Sequence, residues 1–286
     1  MLIELKNGPM TMAISTLGAE PQSLKLDGRE YIWQGDKEYW FRRAPLLFPM
    51  IGPTRDNQVG INGKVYDMPN NGFARDNEFT FVSQTENSAT FVLEDTPFFK
   101  EHYYPYGFKL TVTYTLNEDG YEAKAEITAK DDLYYVFGWH PAFNLDINGE
   151  NTDLERYTLN FEAEEKLTRK YVQDGKFVYQ EGFVDGDTYD IRYEEIDKGP
   201  LTFDNVKSTE VTLTCDGGEH GVTATMGDMT TFTAWTCFPK HGQYLCLEPM
   251  VSFGSPEREF DIEKMEEARF LKAGETKTYV NSWRVF

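Results

Sequence analysis

Between Phe108 and Ala129 the apolar residues fall on every second position. Phe108, Leu110, Val112, Tyr114 and Leu116 alternate with polar neighbours, and Asn117-Glu118-Asp119-Gly120 interrupts the run. Tyr121, Ala123, Ala125, Ile127 and Ala129 then alternate with Glu122, Lys124, Glu126 and Thr128. A period of two puts successive side chains on opposite faces of a strand, so this stretch predicts a long antiparallel hairpin with one face buried. Further hairpins are signalled at Leu26-Asp27-Gly28-Arg29, leading into Tyr31-Ile32-Trp33, and at Ile61-Asn62-Gly63-Lys64. Asp-Gly and Asn-Gly supply the positive φ angles of two-residue turns. Residues 79–82 and 90–93 flank another turn at Glu86-Asn87-Ser88, and later strands are predicted over 157–161, 211–215, 222–226, 232–236 and 244–247. Helical periodicity is scarce: 261–270 suits one short helix, capped by Asp261 or a residue before it. The acidic stretch 162–198 reads as loops and short edge strands, where charge discourages edge-to-edge pairing.

Strands recur from end to end without a linker or an internal repeat. The pattern predicts one all-β domain over residues 1–286, a large antiparallel β-sandwich, and a closed barrel fits it as well. The chain holds 28 Lys+Arg against 48 Asp+Glu, a net charge of −20. That balance argues against nucleic-acid and anionic-membrane partners, which need a clustered positive potential. An aromatic content of 15% argues against a disordered acidic chain. No apolar run approaches the roughly 20 residues of a membrane helix, and the first residues lack a secretory pattern. Cys215, Cys237 and Cys246 are an odd number without CxxC spacing, which reads as reduced thiols. These features predict a soluble, cytoplasmic protein.

The four histidines can be weighed one by one. His140 sits among apolar residues in Phe137-Gly138-Trp139-His140-Pro141-Ala142-Phe143, where burial moves an imidazole pKa. A satisfied core histidine and a catalytic one fit that setting equally. His102 reads as part of a surface-packing loop, and His220 and His241 as turn residues. No pair has metal-ligand spacing, so no metal is expected. Among the carboxylates Glu248 stands out. It ends the apolar run Tyr244-Leu245-Cys246-Leu247, where a charge needs either a partner or a purpose. Arg43, Arg55 and Arg75 lie in Pro/Gly-rich loops and offer donors suited to sugar hydroxyls. The surrounding aromatics Trp33, Trp40, Phe73, Trp139, Phe143 and Trp235 suit either a core or a sugar-stacking surface.

Four segments carry a family resemblance. They are Ala44-Pro45-Leu46-Leu47-Phe48-Pro49-Met50-Ile51-Gly52, Asn71-Gly72-Phe73-Ala74-Arg75-Asp76, Gly138-Trp139-His140-Pro141-Ala142-Phe143-Asn144 and Cys246-Leu247-Glu248-Pro249. With the opening Ser15-Thr16-Leu17-Gly18-Ala19-Glu20, they resemble the aldose 1-epimerases, galactose mutarotase-like proteins, and in particular their LacX-type subgroup. The likeness runs in the same order over nearly the whole chain. It implies a galactose mutarotase-like supersandwich and interconversion of the α and β anomers of a free hexose. Glu248 would be the general base on the C1 hydroxyl and His140 the general acid toward the ring oxygen. Their attraction would keep Glu248 ionised and His140 protonated. No cofactor or metal is implied, the partner is a monosaccharide, and the chain would be a monomer or homodimer.

The chain departs from the family pattern in three places. Asn71 stands where a histidine usually precedes Gly-Phe-Ala-Arg, and asparagine can hydrogen-bond a sugar but cannot carry a proton. Pro53 follows Gly52 where the family often has arginine, leaving Arg55 to stand in two residues on. The aspartate that binds sugar hydroxyls has only Asp204 as a candidate. Arg75 keeps its motif position. Asn71 motivates a sugar-binding protein without catalysis as an alternative. The three loop arginines motivate a hexose-6-phosphate mutarotase. A glycoside hydrolase would need a second carboxylate opposite Glu248, and none is identifiable.

Overall fold

The 108–129 alternation folds as the hairpin it predicts. Phe108–Leu116 pairs with Gly120–Ala129, Phe108 opposite Ala129 and Leu116 opposite Tyr121, and the alternate apolar side chains are buried. In the computed structural model, which describes residues 1–145, 152–216, 220–254 and 258–286, this hairpin belongs to a 15-stranded sheet. On one side of the hairpin the sheet continues through Ser88–Glu94 to Thr80–Gln84. On the other it runs through Thr276–Val285, Gly221–Thr225, Glu210–Cys215, Tyr157–Gln173, Leu201–Asp204, Thr231–Trp235 and Tyr244–Met250 to Gly138–Trp139 and Leu46–Leu47. A separate sheet of four strands, Leu2–Asn7 to Arg29–Glu30, lies against Phe108–Leu116 and Ser88–Glu94. The architecture is all-β, and one cluster of buried side chains extends from Ile3 to Val285.

The short turns form where Asp-Gly and Asn-Gly require them: Asp27, Gly28, Asn62 and Gly63 all have positive φ. Three expectations need correction. First, the acidic 162–198 stretch is mostly a long hairpin, Tyr157–Gln173 against Lys176–Asp190. Buried charges hide its alternation. Glu165 is buried and accepts from Lys207 N, Ser208 N and Ser208 Oγ, while buried Arg169 donates to Glu195, Gly199 O and Pro200 O. Register shifts beside both residues break the period further.

Second, 261–270 is not a helix. A single 3-10 turn, Ile262–Lys264, is followed by Arg269–Leu271, which pairs with Leu133–Tyr135. An isolated helix that short is marginal, and the strand partner satisfies the backbone instead. Third, the segment before His102 is a short helix, Pro97–His102. Thr96 caps it by accepting from Phe99 N at 3.1 Å, and Pro97 opens it. His102 sits exposed in its last turn.

One loop contact positions the site. Gly72, at φ +72°, bridges Phe48, whose carbonyl accepts from both Phe73 N and Ala74 N at 3.1 Å. A Cβ on Gly72 would lie 2.2 Å from that carbonyl oxygen, whereas one on Gly63, at φ +73°, would meet nothing within 4 Å. Gly63→Ala should therefore show only the left-handed backbone penalty, about 1–2 kcal/mol. Gly72→Ala should exceed it, because Phe48 and the Asn71–Arg75 loop must move apart. Urea midpoints of the two variants, converted with a common m-value, test the difference.

Candidate active site

The strand Tyr244–Met250 is buried along its whole length. It pairs with Thr231–Trp235 on one side and with two short strands, Gly138–Trp139 and Ala142–Asn144, on the other. His140-Pro141 separates those two short strands. Proline has no N–H to offer the ladder, so the pairing breaks there. The break is stitched from both sides: His140 N donates to Pro45 O at 2.9 Å, and Leu247 N donates to Pro141 O at 3.1 Å. Glu248 lies opposite Thr233, and its side chain meets His140, with Oε1 3.4 Å from Nδ1. Their exposures are 3% and 8%.

Aromatic rings box the imidazole. Trp40 stacks on it, with centroids 4.8 Å apart and planes 24° apart, and Trp235 meets it edge-on at 5.5 Å and 86°. Trp33 Nε1 donates to Trp40 O at 2.8 Å, which holds the stacking residue in place. Burial dominates the electrostatics here. It pushes the His140 imidazole down to about 3, helped by the Arg75 charge, and pushes the Glu248 carboxyl well up. Burial thus works against the ion pair that mutual attraction favours, because desolvation favours the neutral forms of both groups. With both groups pushed toward their neutral forms, the pair carries one proton between them. An ion pair would carry the same net charge at a higher solvation cost.

The pair forms the floor of a 580 Å3 cavity whose walls include Trp40, Arg42, Asn71, Arg75, Trp235 and Phe253. Arg75 comes from the 3-10 turn Ala74–Asp76 and donates through Nη2 to Asn70 O at 2.5 Å. Its Nε is buried without a hydrogen-bond partner among the described residues. Burial and the neighbouring Arg42 lower its pKa to about 10. Asn71, at φ +63°, accepts a hydrogen bond from Gly52 N at 2.6 Å and donates its own N–H to Gly52 O at 3.2 Å. It locks the two motif loops together and leaves its amide N–H donors to the cavity.

Two expected site residues lie elsewhere. Arg55 is exposed and rests over the Phe260 ring at 5.7 Å, because its loop turns away after Pro53. Asp204 pairs with Lys170, accepts from Thr231 Oγ1 at 2.7 Å, and lines a separate cavity of 360 Å3. Arg43 is drawn off to Gln22 and Glu20, its backbone N–H bonding the latter. Arg42 belongs to the cavity without a sequence signal; it pairs with Asp76 at 2.7 Å. Cys246 adjoins the site as well, two residues before Glu248 and thus on the same face of the strand, a spacing readable from the sequence. A larger groove of 760 Å3 beside Thr80–Gln84 has no imidazole and no buried carboxylate on its walls.

A family model described as Aldose 1-epimerase matches residues 1–258. The chain is 31% identical over 278 residues to the chromosomal protein LacX of Lactococcus lactis subsp. lactis, covering 92% of this chain and 91% of that protein. The plasmid-borne LacX of the same organism is 30% identical over 276 residues, with the same coverage. Among solved structures, a galactose mutarotase-like protein from Lactobacillus casei superposes with a TM-score of 0.93 at 26% identity, covering all of both chains. A galactose mutarotase related enzyme from Lactobacillus acidophilus gives the same TM-score at 24% identity, over 100% of this chain and 97% of that one, and shows the shared fold. Among the described residues no helix is long and apolar enough to cross a membrane. By the family match along most of its length and by these relatives, the chain belongs to the aldose 1-epimerase family.

Proposed function

We propose that the chain interconverts the α and β anomers of a free aldose in the cavity floored by His140 and Glu248. The carrying observation is the pairing itself: a buried imidazole and a buried carboxyl, 3.4 Å apart, facing a 580 Å3 cavity. Ring opening removes the proton of the C1 hydroxyl while the ring oxygen gains one, so a site that holds one mobile proton is matched to it. When sugar hydroxyls replace the missing solvent at Glu248, its proton passes to His140. The Glu248 carboxylate then takes the O1 proton, His140 gives its proton to the ring oxygen, and the C1–O5 bond breaks as the C1 carbonyl forms. Rotation about C1–C2 presents the other carbonyl face. Reclosure runs the transfers backward and leaves the pair's one proton on His140, from which it returns to Glu248. Arg75 and Asn71 supply N–H donors that hold the sugar hydroxyls.

Polarimetry on freshly dissolved α-glucose and α-galactose tests this reading. The protein should speed equilibration above buffer for at least one aldose. Glu248→Gln, which keeps the shape but cannot take the O1 proton, should lower kcat by about 10²–10⁴-fold. No acceleration across a panel of aldoses, or full activity in Glu248→Gln, would refute the assignment.

A second reading rests on Arg42 and Arg75, the two cations on the cavity wall. They favour an anionic substituent, as in a hexose 6-phosphate. Arg42 is already paired with Asp76, which leaves the neutral sugar as the leading substrate. If the phosphorylated sugar is preferred, its KM should lie about tenfold or more below that of the parent hexose at low salt, and the gap should narrow as salt screens the arginines. Equal KM values for the two sugars would leave the neutral hexose as the substrate.

A further inference from the structure

Cys246 is a buried nucleophile that anomer exchange does not use. It shares a strand face with Glu248, and donor atoms of His140, Cys246 and Glu248 all lie within 4.8 Å of one another. All three residues are buried. The His140 Nδ1 nearest to Glu248 has no hydrogen-bond partner among the described residues. A thiol, an imidazole and a carboxyl converging within that distance, with no hydrogen bond holding the imidazole Nδ1, form a donor set suited to a borderline-soft divalent cation.

The distances can be compared with what such an ion needs. Tetrahedral zinc with bonds of about 2.0–2.3 Å holds its donors roughly 3.3–3.8 Å apart. The His140–Glu248 separation of 3.4 Å already falls in that range. The widest separation, 4.8 Å at most, must close by about 1 Å, within reach of side-chain rotation. Charge also closes. A doubly charged cation with one thiolate, one carboxylate and a neutral imidazole sums to zero, the state that burial favours. His140 and Glu248 line the cavity, so the fourth position opens toward water or a sugar hydroxyl.

The geometry points to His140, Cys246 and Glu248 as a three-donor site for Zn2+, whose occupancy blocks anomer exchange. On binding, the thiol of Cys246 and the carboxyl of Glu248 each release their proton to solvent. The metal then holds the lone pairs that proton transfer uses. Metal binding stands independently of the proposed reaction; only the inhibitory consequence rests on it. The separation of more than 100 residues between His140 and the other two donors is why no ligand spacing appears in the sequence.

Metal-free protein titrated with Zn2+ in a calorimeter tests the site. The wild type should take up one equivalent tightly. Cys246→Ala should weaken that step by more than about 100-fold, beyond the range of outer-sphere changes. Cys237→Ala, at the half-buried neighbouring cysteine, should leave it unchanged. Co2+ gives a second readout, since a thiolate ligand produces a sulfur-to-cobalt charge-transfer band in the wild type whether or not the variant folds well. Where mutarotation is present, Zn2+ should stop it in the wild type, while Cys246→Ala should keep its rate and lose the inhibition. A wild type without that band, or zinc uptake unchanged in Cys246→Ala, would overturn the assignment and leave only weak binding to surface carboxylates. If no sugar is turned over, the calorimetric and cobalt results still decide the site.

Discussion

Desolvation of Glu248 is the constraint around which the site is built. The side chain projects from a strand buried along its whole length, between Leu247 and Pro249, and the neighbour that compensates it is the imidazole of His140 at 3.4 Å. In water the two groups would ionise oppositely. Inside this wall the same net charge is held more cheaply as an acid beside a neutral base. The consequence is a proton with two nearly adjacent homes. Anomer exchange needs such an arrangement, because each group must act once as acid and once as base. Trp40 and Trp235 keep water from the imidazole, and Arg75 adds a nearby positive charge that further disfavours the imidazolium.

The fold holds this pair in place by interrupting its own regularity. His140 is presented where Pro141 splits the strand beside Tyr244–Met250, and backbone bonds to Pro45 and from Leu247 fix both ends of the break. The cavity wall opposite is loop, yet it is anchored tightly, with Gly72 against the Phe48 carbonyl and Asn71 clamped to Gly52. Glu248 thus sits on a buried strand and His140 in a stitched break between two others, while Asn71 and Arg75 stand on the pinned loop opposite. The division suits a site that must keep two groups in register while it admits different hydroxyl patterns.

What could be read from the sequence follows from how each segment is stabilised. The 108–129 hairpin was legible because its buried face is purely apolar, and the Asp-Gly and Asn-Gly turns because they need positive φ. The long hairpin beyond Tyr157 was not, since Glu165 and Arg169 occupy buried positions that only tertiary partners make tolerable. The Pro97–His102 helix had a local signal in Thr96-Pro97 that the tyrosine-rich sequence after it obscured. At the site, His140, Glu248, Asn71 and Arg75 were legible from motif context, and the cavity brings them together. Arg55 and Asp204 were placed by analogy of chain position. Position could not reveal that one side chain leans on Phe260 and the other is taken by Lys170. The charge states carry a related lesson: mutual attraction can be imagined from sequence, but the extent of the desolvation that opposes it cannot.

Asn71 shows how a departure from a family pattern can belong to the scaffold. Its φ of +63° lies in the left-handed region, where asparagine is among the non-glycine residues tolerated best. The short amide also reaches Gly52 N at 2.6 Å, bonding directly to the loop that carries the opposite rim of the cavity. A histidine here would bring a titratable group to the sugar, but its larger ring would have to find another way to close the two loops. In this chain the position therefore contributes fixed donors and loop closure. In the proposed reaction proton traffic is left to His140 and Glu248, so there the departure at Asn71 would constrain sugar orientation without removing either proton-carrying group.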